Sequence, residues 1–184
     1  MEQIYHIYIT NDCDHKCPLC CNRLYDIDLL PVITVEQLKG AHTVCITGGE
    51  PFLHTDQLLY LIECIRQQYP SIQKLYVYTS GGRLHLMGER DWKRFFTYAD
   101  GLNVAPKSPY EYKLLHMALN YWPMKAESSK EGLSNRLYVF PDLWKVYENE
   151  DLCLPDTWQV IGREWDKEFN TPDNEHFVRL PILY

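Results

Sequence analysis

The chain has 184 residues, of which 46% are hydrophobic, and a formal net charge of −7. This length and composition predict one domain over residues 1–184 with a hydrophobic core of its own. No apolar run reaches membrane-spanning length, the first residues lack the pattern of a signal peptide, and no basic stripe is present, so we expect neither a membrane span nor nucleic-acid binding.

The cysteine count indicates the cellular compartment, and the charge distribution indicates which part of the chain faces solvent. Seven cysteines are an odd number in a chain without a visible export signal, which predicts a cytoplasmic protein whose thiols stay reduced or bind metal. Residues 141–184 contain ten acidic and four basic side chains, whereas the first 140 residues are nearly balanced, with a net charge of −1. We interpret the acidic part as a solvated face, with a docking surface for a basic partner as the alternative.

Predicted strands and helices alternate along the chain. Strands are predicted over residues 4–9, 43–47, 74–78, 101–105, 135–140, 158–161 and 177–183. Helices are predicted over residues 34–41, 55–69, 89–98, 108–121 and 141–147, and residues 124–135 are predicted to form a mobile loop. This alternation predicts βαβ units and a parallel sheet, with functional residues at the carboxyl ends of the strands.

Three cysteines directly follow the first predicted strand. Cys13, Cys17 and Cys20 have C-x3-C-x2-C spacing. The later cysteines, Cys45, Cys64 and Cys153, are scattered singly along the chain. Three thiolates at this spacing can converge on an iron–sulfur cluster and leave one of four irons open. A zinc site that uses His15, and plain thiols, remain alternatives on spacing alone.

A second motif, Gly48-Gly49-Glu50-Pro51, directly follows the second predicted strand. Together the two motifs resemble the radical S-adenosylmethionine (SAM) superfamily, by motif over residues 1 to about 110. The resemblance implies an α/β fold, a partial (β/α)6 barrel that is open laterally, with the motif-bearing core in about residues 1–140. It also implies that Cys13, Cys17 and Cys20 bind a [4Fe-4S] cluster, and that the Gly-Gly-Glu-Pro turn receives the amino group of SAM.

Further SAM contacts follow from the same resemblance. Leu19 stands where relatives usually have an aromatic residue against the adenine. Thr79 and Ser80 resemble a segment that faces the methionine or ribose, with an ordinary turn as the alternative. Asn103 and Lys107, on and beyond the fourth strand, are predicted to bind the SAM ribose or carboxylate, with solvent exposure of Lys107 as the alternative. Cys21 is not predicted to be a ligand.

The implied reaction is that of an oxygen-sensitive oxidoreductase. The reduced cluster cleaves SAM to a 5′-deoxyadenosyl radical, which abstracts hydrogen from a substrate, and flavodoxin or ferredoxin supplies the electron. The run from Cys13 to Asn22 resembles glycyl-radical activases, which implies a protein or peptide substrate. The segment Ala105-Pro106-Lys107 resembles deazaguanine-forming enzymes, so a small-molecule or nucleoside substrate is an alternative. The non-enzymatic alternatives are an iron–sulfur sensor and a binding module that is stabilised by zinc.

Overall fold

A computed structural model describes residues 2–17, 20, 27–164 and 172–180. In these ranges the strands are β1 (Ile4–Tyr8), β2 (Thr43–Thr47), β3 (Lys74–Thr79), β4 (Gly101–Val104), β5 (Asn135–Val139), β6 (Trp158–Gly162) and β7 (Glu175–Arg179). The α-helices are α1 (Thr55–Gln68), α2 (Glu89–Tyr98), α3 (Pro109–Asn120), α4 (Trp122–Ser128) and α5 (Trp144–Glu150). No helix in the described ranges has the length and apolar character that a membrane span requires.

The chain divides into two compact units, Met1–Tyr78 with Trp165–Tyr184, and Thr79–Glu164. In the first unit, β1 pairs in parallel with β2 and with β7, and β2 pairs in parallel with β3. Helix α1 connects β2 to β3 and turns an apolar face inward, so that Leu58, Ile62 and Ile65 are fully buried. This burial is the main source of helix stability, because isolated helices of this length are marginal in water.

In the second unit, β4 pairs in parallel with β5, and β5 with β6. Helix α2 contributes an aromatic cluster to the core, in which the rings of Trp92 and Phe96 stack with centroids 5.7 Å apart. Helix α3 begins at Pro109, where the Ser108 hydroxyl accepts a hydrogen bond from the Glu111 amide at 3.4 Å. This capping interaction confirms the helix start that the sequence predicts.

The predicted α/β fold class is confirmed. The described strand pairs of each unit are parallel, and α-helices follow β2, β3, β4 and β5 in the chain, as the predicted alternation of strands and helices requires. The prediction of one domain over residues 1–184 stays a prediction. The helix predicted over residues 34–41 is a 3-10 turn over Val35–Leu38, and the strand predicted over residues 177–183 is β7, with residues 181–183 outside the described part.

The prediction of a mobile loop over residues 124–135 is wrong at its start. Residues 122–128 form α4, which packs against α2 and α3, and only the segment up to β5 is irregular. Pro123 ends α3 but also suits the first turn of a new helix, because that position needs no amide donor. Met124 and Ser128 are fully buried at helical spacing, which the Lys, Glu and Ser composition of the segment obscures.

Truncation of Met124 tests this helix. Because its side chain is fully buried, we expect Met124→Ala to lower the free energy of unfolding by about 2–5 kcal/mol. Trp122→Ala is the control in the same helix, since the Trp122 side chain is 74% exposed. The measurement is urea unfolding of both variants, and equal stability of Met124→Ala and wild type would contradict a packed α4.

Candidate active site

The loop after β1 and the turn after β2 run side by side. Beyond the strand pairing, the Ile9 amide donates to the Thr47 carbonyl at 3.1 Å, and the Gly49 amide donates to the Thr10 carbonyl at 2.7 Å. The Glu50 amide then donates to the carbonyl of Asp12 at 2.7 Å, directly before Cys13. Carboxyl ends of parallel strands meet at the same edge of a sheet, so the cysteine loop and the Gly-Gly-Glu-Pro turn start from one place.

Both glycines of the turn are required by this backbone contact. A Cβ atom at Gly49 would lie 2.0 Å from the Asp12 carbonyl oxygen, and one at Gly48 would lie 2.7 Å from that of Thr10. Gly48 also has a φ of +144°, which side-chain-bearing residues rarely adopt. The two glycines therefore allow the backbone of the turn to approach the backbone of the cysteine loop closely.

Glu50 and Pro51 begin a short 3-10 helix, Pro51–His54. The Glu50 side chain is 1% exposed, and its Oε1 accepts a hydrogen bond from the Phe52 amide at 3.2 Å. Pro51 is buried at the first helical position, where its missing amide hydrogen costs nothing. Glu50 thus has a local capping role, which is compatible with acceptance of a further hydrogen bond by its carboxylate.

None of the three loop cysteines forms a disulfide, and Cys13 is exposed whereas Cys17 and Cys20 are half-buried. Within the described part of the chain, no three His, Cys, Asp or Glu side chains are grouped so that they could hold a metal ion. The thiols fit an iron–sulfur cluster by their chemistry and by their place on one irregular loop, and binding has to draw them together. Leu19 and Cys21 lie outside the described residues, so the prediction for Leu19 stays a prediction.

The Cys13 thiol is partly desolvated even though the residue as a whole is exposed. This desolvation raises the pKa of the thiol above its ordinary value, and the nearby Glu50 and Cys17 raise it further. A hydrogen bond to the His15 backbone acts in the opposite direction and lowers the same pKa. The thiol is therefore protonated at neutral pH, and its use as a ligand releases a proton.

In the second unit, Thr79 and Ser80 are buried and both take part in a turn. The Thr79 hydroxyl oxygen accepts from the Gly81 amide at 3.0 Å, and that of Ser80 accepts from the Gly82 amide at 3.3 Å. Gly81 has a φ of +89°, in the left-handed region. These bonds are those of hydroxyl-supported turns, so the turn alternative has direct support, while the SAM role of both residues stays a prediction.

Asn103 is fully buried on β4 and lies in register with Arg136 on β5. Its Oδ1 accepts a long hydrogen bond from Nη1 of Arg136 at 3.5 Å. In the described part of the chain, its Nδ2 atom is buried without a hydrogen-bond partner. A buried, unsatisfied amide donor is unfavourable and suits an incoming oxygen acceptor, such as a ribose hydroxyl or a carboxylate.

Lys107 is half-buried, and its role toward SAM stays a prediction. Its Nζ lies over the Phe140 ring, 4.2 Å from the centroid, in a cation–π contact. Its backbone amide donates to Oε2 of Glu111 at 2.5 Å, and Glu111 is 2% exposed. Glu111 thus holds the backbone of Lys107, and Phe140 contacts its ammonium group.

Sequence reasoning missed three hydrogen-bonding residues beside the predicted site residues: Asp12 and His54 in the first unit and Glu111 in the second. His54 Nε2 donates to Oδ2 of Asp12 at 2.7 Å, and Asp12 directly precedes Cys13. A histidine at the start of α1, where a cation is unfavourable and a hydroxyl or carboxamide is usual, is a signal that the sequence offers. Glu111 appears in the sequence only as part of a helix cap.

Residues 7–135 match the model of the Radical SAM superfamily, which is more than half of the chain. The chain belongs to the radical SAM superfamily. Members of this superfamily use a [4Fe-4S] cluster and SAM, and the match leaves the reaction open. The chain is also 34% identical over 88 residues to a GTP 3′,8-cyclase of Synechococcus sp. (strain CC9902). That match covers 44% of this chain and 25% of the relative, so the chain spans about a quarter of the relative's length.

Gly49→Ala tests the backbone contact between the loop and the turn. Because the new methyl group would meet a carbonyl oxygen at 2.0 Å, we expect a loss of about 3 kcal/mol in the free energy of unfolding. Gly162→Ala is the control, since a Cβ there would meet only a Trp144 ring atom at 3.8 Å. Thermal unfolding of both variants is the measurement, and equal melting temperatures would contradict the contact.

Proposed function

We propose that Cys13, Cys17 and Cys20 bind a [4Fe-4S] cluster, and that Gly48, Gly49, Glu50 and Pro51 bind the amino group of SAM. The observation that supports this most is the backbone contact between residues 10–12 and 48–50, because it ties the two motifs into one local structure. When bound, the cluster and SAM supply a 5′-deoxyadenosyl radical that abstracts hydrogen from the substrate.

In this proposal each residue has a defined task. The thiolates hold iron, the Gly48 and Gly49 carbonyls and the Glu50 carboxylate accept hydrogen bonds from an ammonium group, and Pro51 stiffens the turn. Leu19 supplies an apolar contact to the adenine. Taken by itself, the second unit offers hydrogen bonds to SAM from Thr79, Ser80 and Asn103, and the buried Asn103 Nδ2 donor supports a role toward an oxygen acceptor. Lys107 supplies a positive charge for a carboxylate.

Two substrate classes follow from separate observations. A protein or peptide, as in glycyl-radical activases, is favoured by the cysteine run from Cys13 to Asn22. A nucleoside or nucleotide is favoured by the similarity to a GTP 3′,8-cyclase, whose name states its substrate. We propose the protein or peptide first and the nucleotide second. With either substrate class, we propose that a protein such as flavodoxin or ferredoxin supplies the electron.

Reductive cleavage of SAM is the first test of the proposal. We expect anaerobically reconstituted wild-type protein, with dithionite and SAM, to form 5′-deoxyadenosine, because none of the three cysteines is consumed by a disulfide. Cys17→Ala should lose both the cluster and the product, whereas Cys64→Ala, a half-buried thiol on α1, should keep both. Normal iron content in Cys17→Ala would contradict the ligand assignment.

Addition of GTP separates the substrate classes in the same assay. Consumption of GTP together with increased 5′-deoxyadenosine would support the nucleotide class. If GTP and other nucleotides are without effect, the protein class is retained. Its positive test is a radical signal on an added protein substrate in electron paramagnetic resonance.

A further inference from the structure

The amide, the carbonyl and the carboxylate of Asp12 all form hydrogen bonds at the start of the cysteine loop. Its amide donates to the Thr10 hydroxyl at 3.0 Å, and its carbonyl accepts from the Glu50 amide at 2.7 Å. Its carboxylate accepts from His54 Nε2, also at 2.7 Å. The residue that immediately precedes Cys13 is thus held from the strand side, from the Gly-Gly-Glu-Pro turn and from the helix that follows this turn.

Helix capping does not explain the presence of a histidine at position 54. It occupies the N-cap position of α1, but its side chain makes no capping hydrogen bond. Its Nε2 instead donates to the carboxylate of Asp12. Helix α1 is anchored by buried Leu58, Leu61 and Ile62, so the histidine stands on a rigid element, whereas residues 13–17 have no regular secondary structure.

We propose that His54 and Asp12 are a positioning pair that fixes the direction in which the cysteine loop leaves β1, and thereby the place of Cys13. The inference rests on the proposed function, because it assigns the pair to the cluster loop. Neither side chain is given a role as ligand or in chemistry. The pair acts through the backbone of Asp12, which is covalently continuous with Cys13.

The pair is suited to a local rather than a global effect. The Asp12 side chain is 67% exposed and that of His54 is 27% exposed, so solvent screens their attraction and little overall stability depends on it. The neighbouring Asp14–His15 contact, at 3.1 Å, joins two adjacent residues within the loop. Loss of His54 should therefore loosen residues 13–17 while the melting temperature stays nearly unchanged.

Hydrogen–deuterium exchange on the cluster-free protein is the first experiment. We expect His54→Leu to speed exchange in peptides that cover residues 13–17 by about two- to fivefold, with α1 peptides unchanged. His54→Gln, which keeps an amide donor in reach of Asp12, should remain close to wild type. The matched control is His116→Leu, which removes a histidine of similar exposure that faces Glu150 at 3.6 Å in the second unit.

The second experiment measures iron loss from the reconstituted protein to a chelator. His54→Leu and Asp12→Ala should each release iron about two- to fivefold faster than wild type, and the double variant should be no faster than the faster single variant. Additive effects, wild-type exchange in His54→Leu, or a His54→Gln variant as labile as His54→Leu would each overturn the proposal. If wild type takes up no cluster, the proposed function fails, and the exchange experiment alone decides on the pair.

Discussion

Two backbone hydrogen bonds constrain the candidate site: from Gly49 to Thr10 and from Glu50 to Asp12, both at 2.7 Å. They extend the pairing of β1 and β2 beyond the strands, so that the two motif-bearing segments continue as neighbours. This closeness leaves no room for a Cβ atom at Gly49 and explains why glycines stand at both positions. Under the proposed function, this contact sets the place where the cluster loop begins, directly before Cys13.

Much of the fold follows from local sequence signals. The boundaries of β2 and α2 agree with the prediction, because β2 is a short run rich in β-branched residues and α2 carries buried aromatic residues at helical spacing. Helix α4 escaped prediction because a polar seven-residue helix is stabilised by packing of Met124 and Ser128, which depends on tertiary contacts. A proline that ends one helix and begins the next is ambiguous in the same way.

The site was predictable to the extent that its residues form contiguous motifs. Cys13, Cys17, Cys20 and residues 48–51 carry a recognisable spacing, and their place after β1 and β2 follows from the parallel topology. The His54–Asp12 contact joins residues 42 positions apart, and no local pattern specifies it. Glu111 is similar: a helix cap explains it in the sequence, whereas the structure adds that its carboxylate accepts from the Lys107 amide.

The central claim is that the loop after β1 holds a [4Fe-4S] cluster with one iron available to SAM. Electron paramagnetic resonance of the reconstituted, dithionite-reduced protein, recorded with and without SAM, tests it most directly. We predict a reduced [4Fe-4S] signal whose g values change when SAM is added, since SAM then binds the iron that lacks a cysteine ligand. A cluster signal that saturating SAM leaves unchanged, or a protein that binds zinc and no iron, would contradict the account.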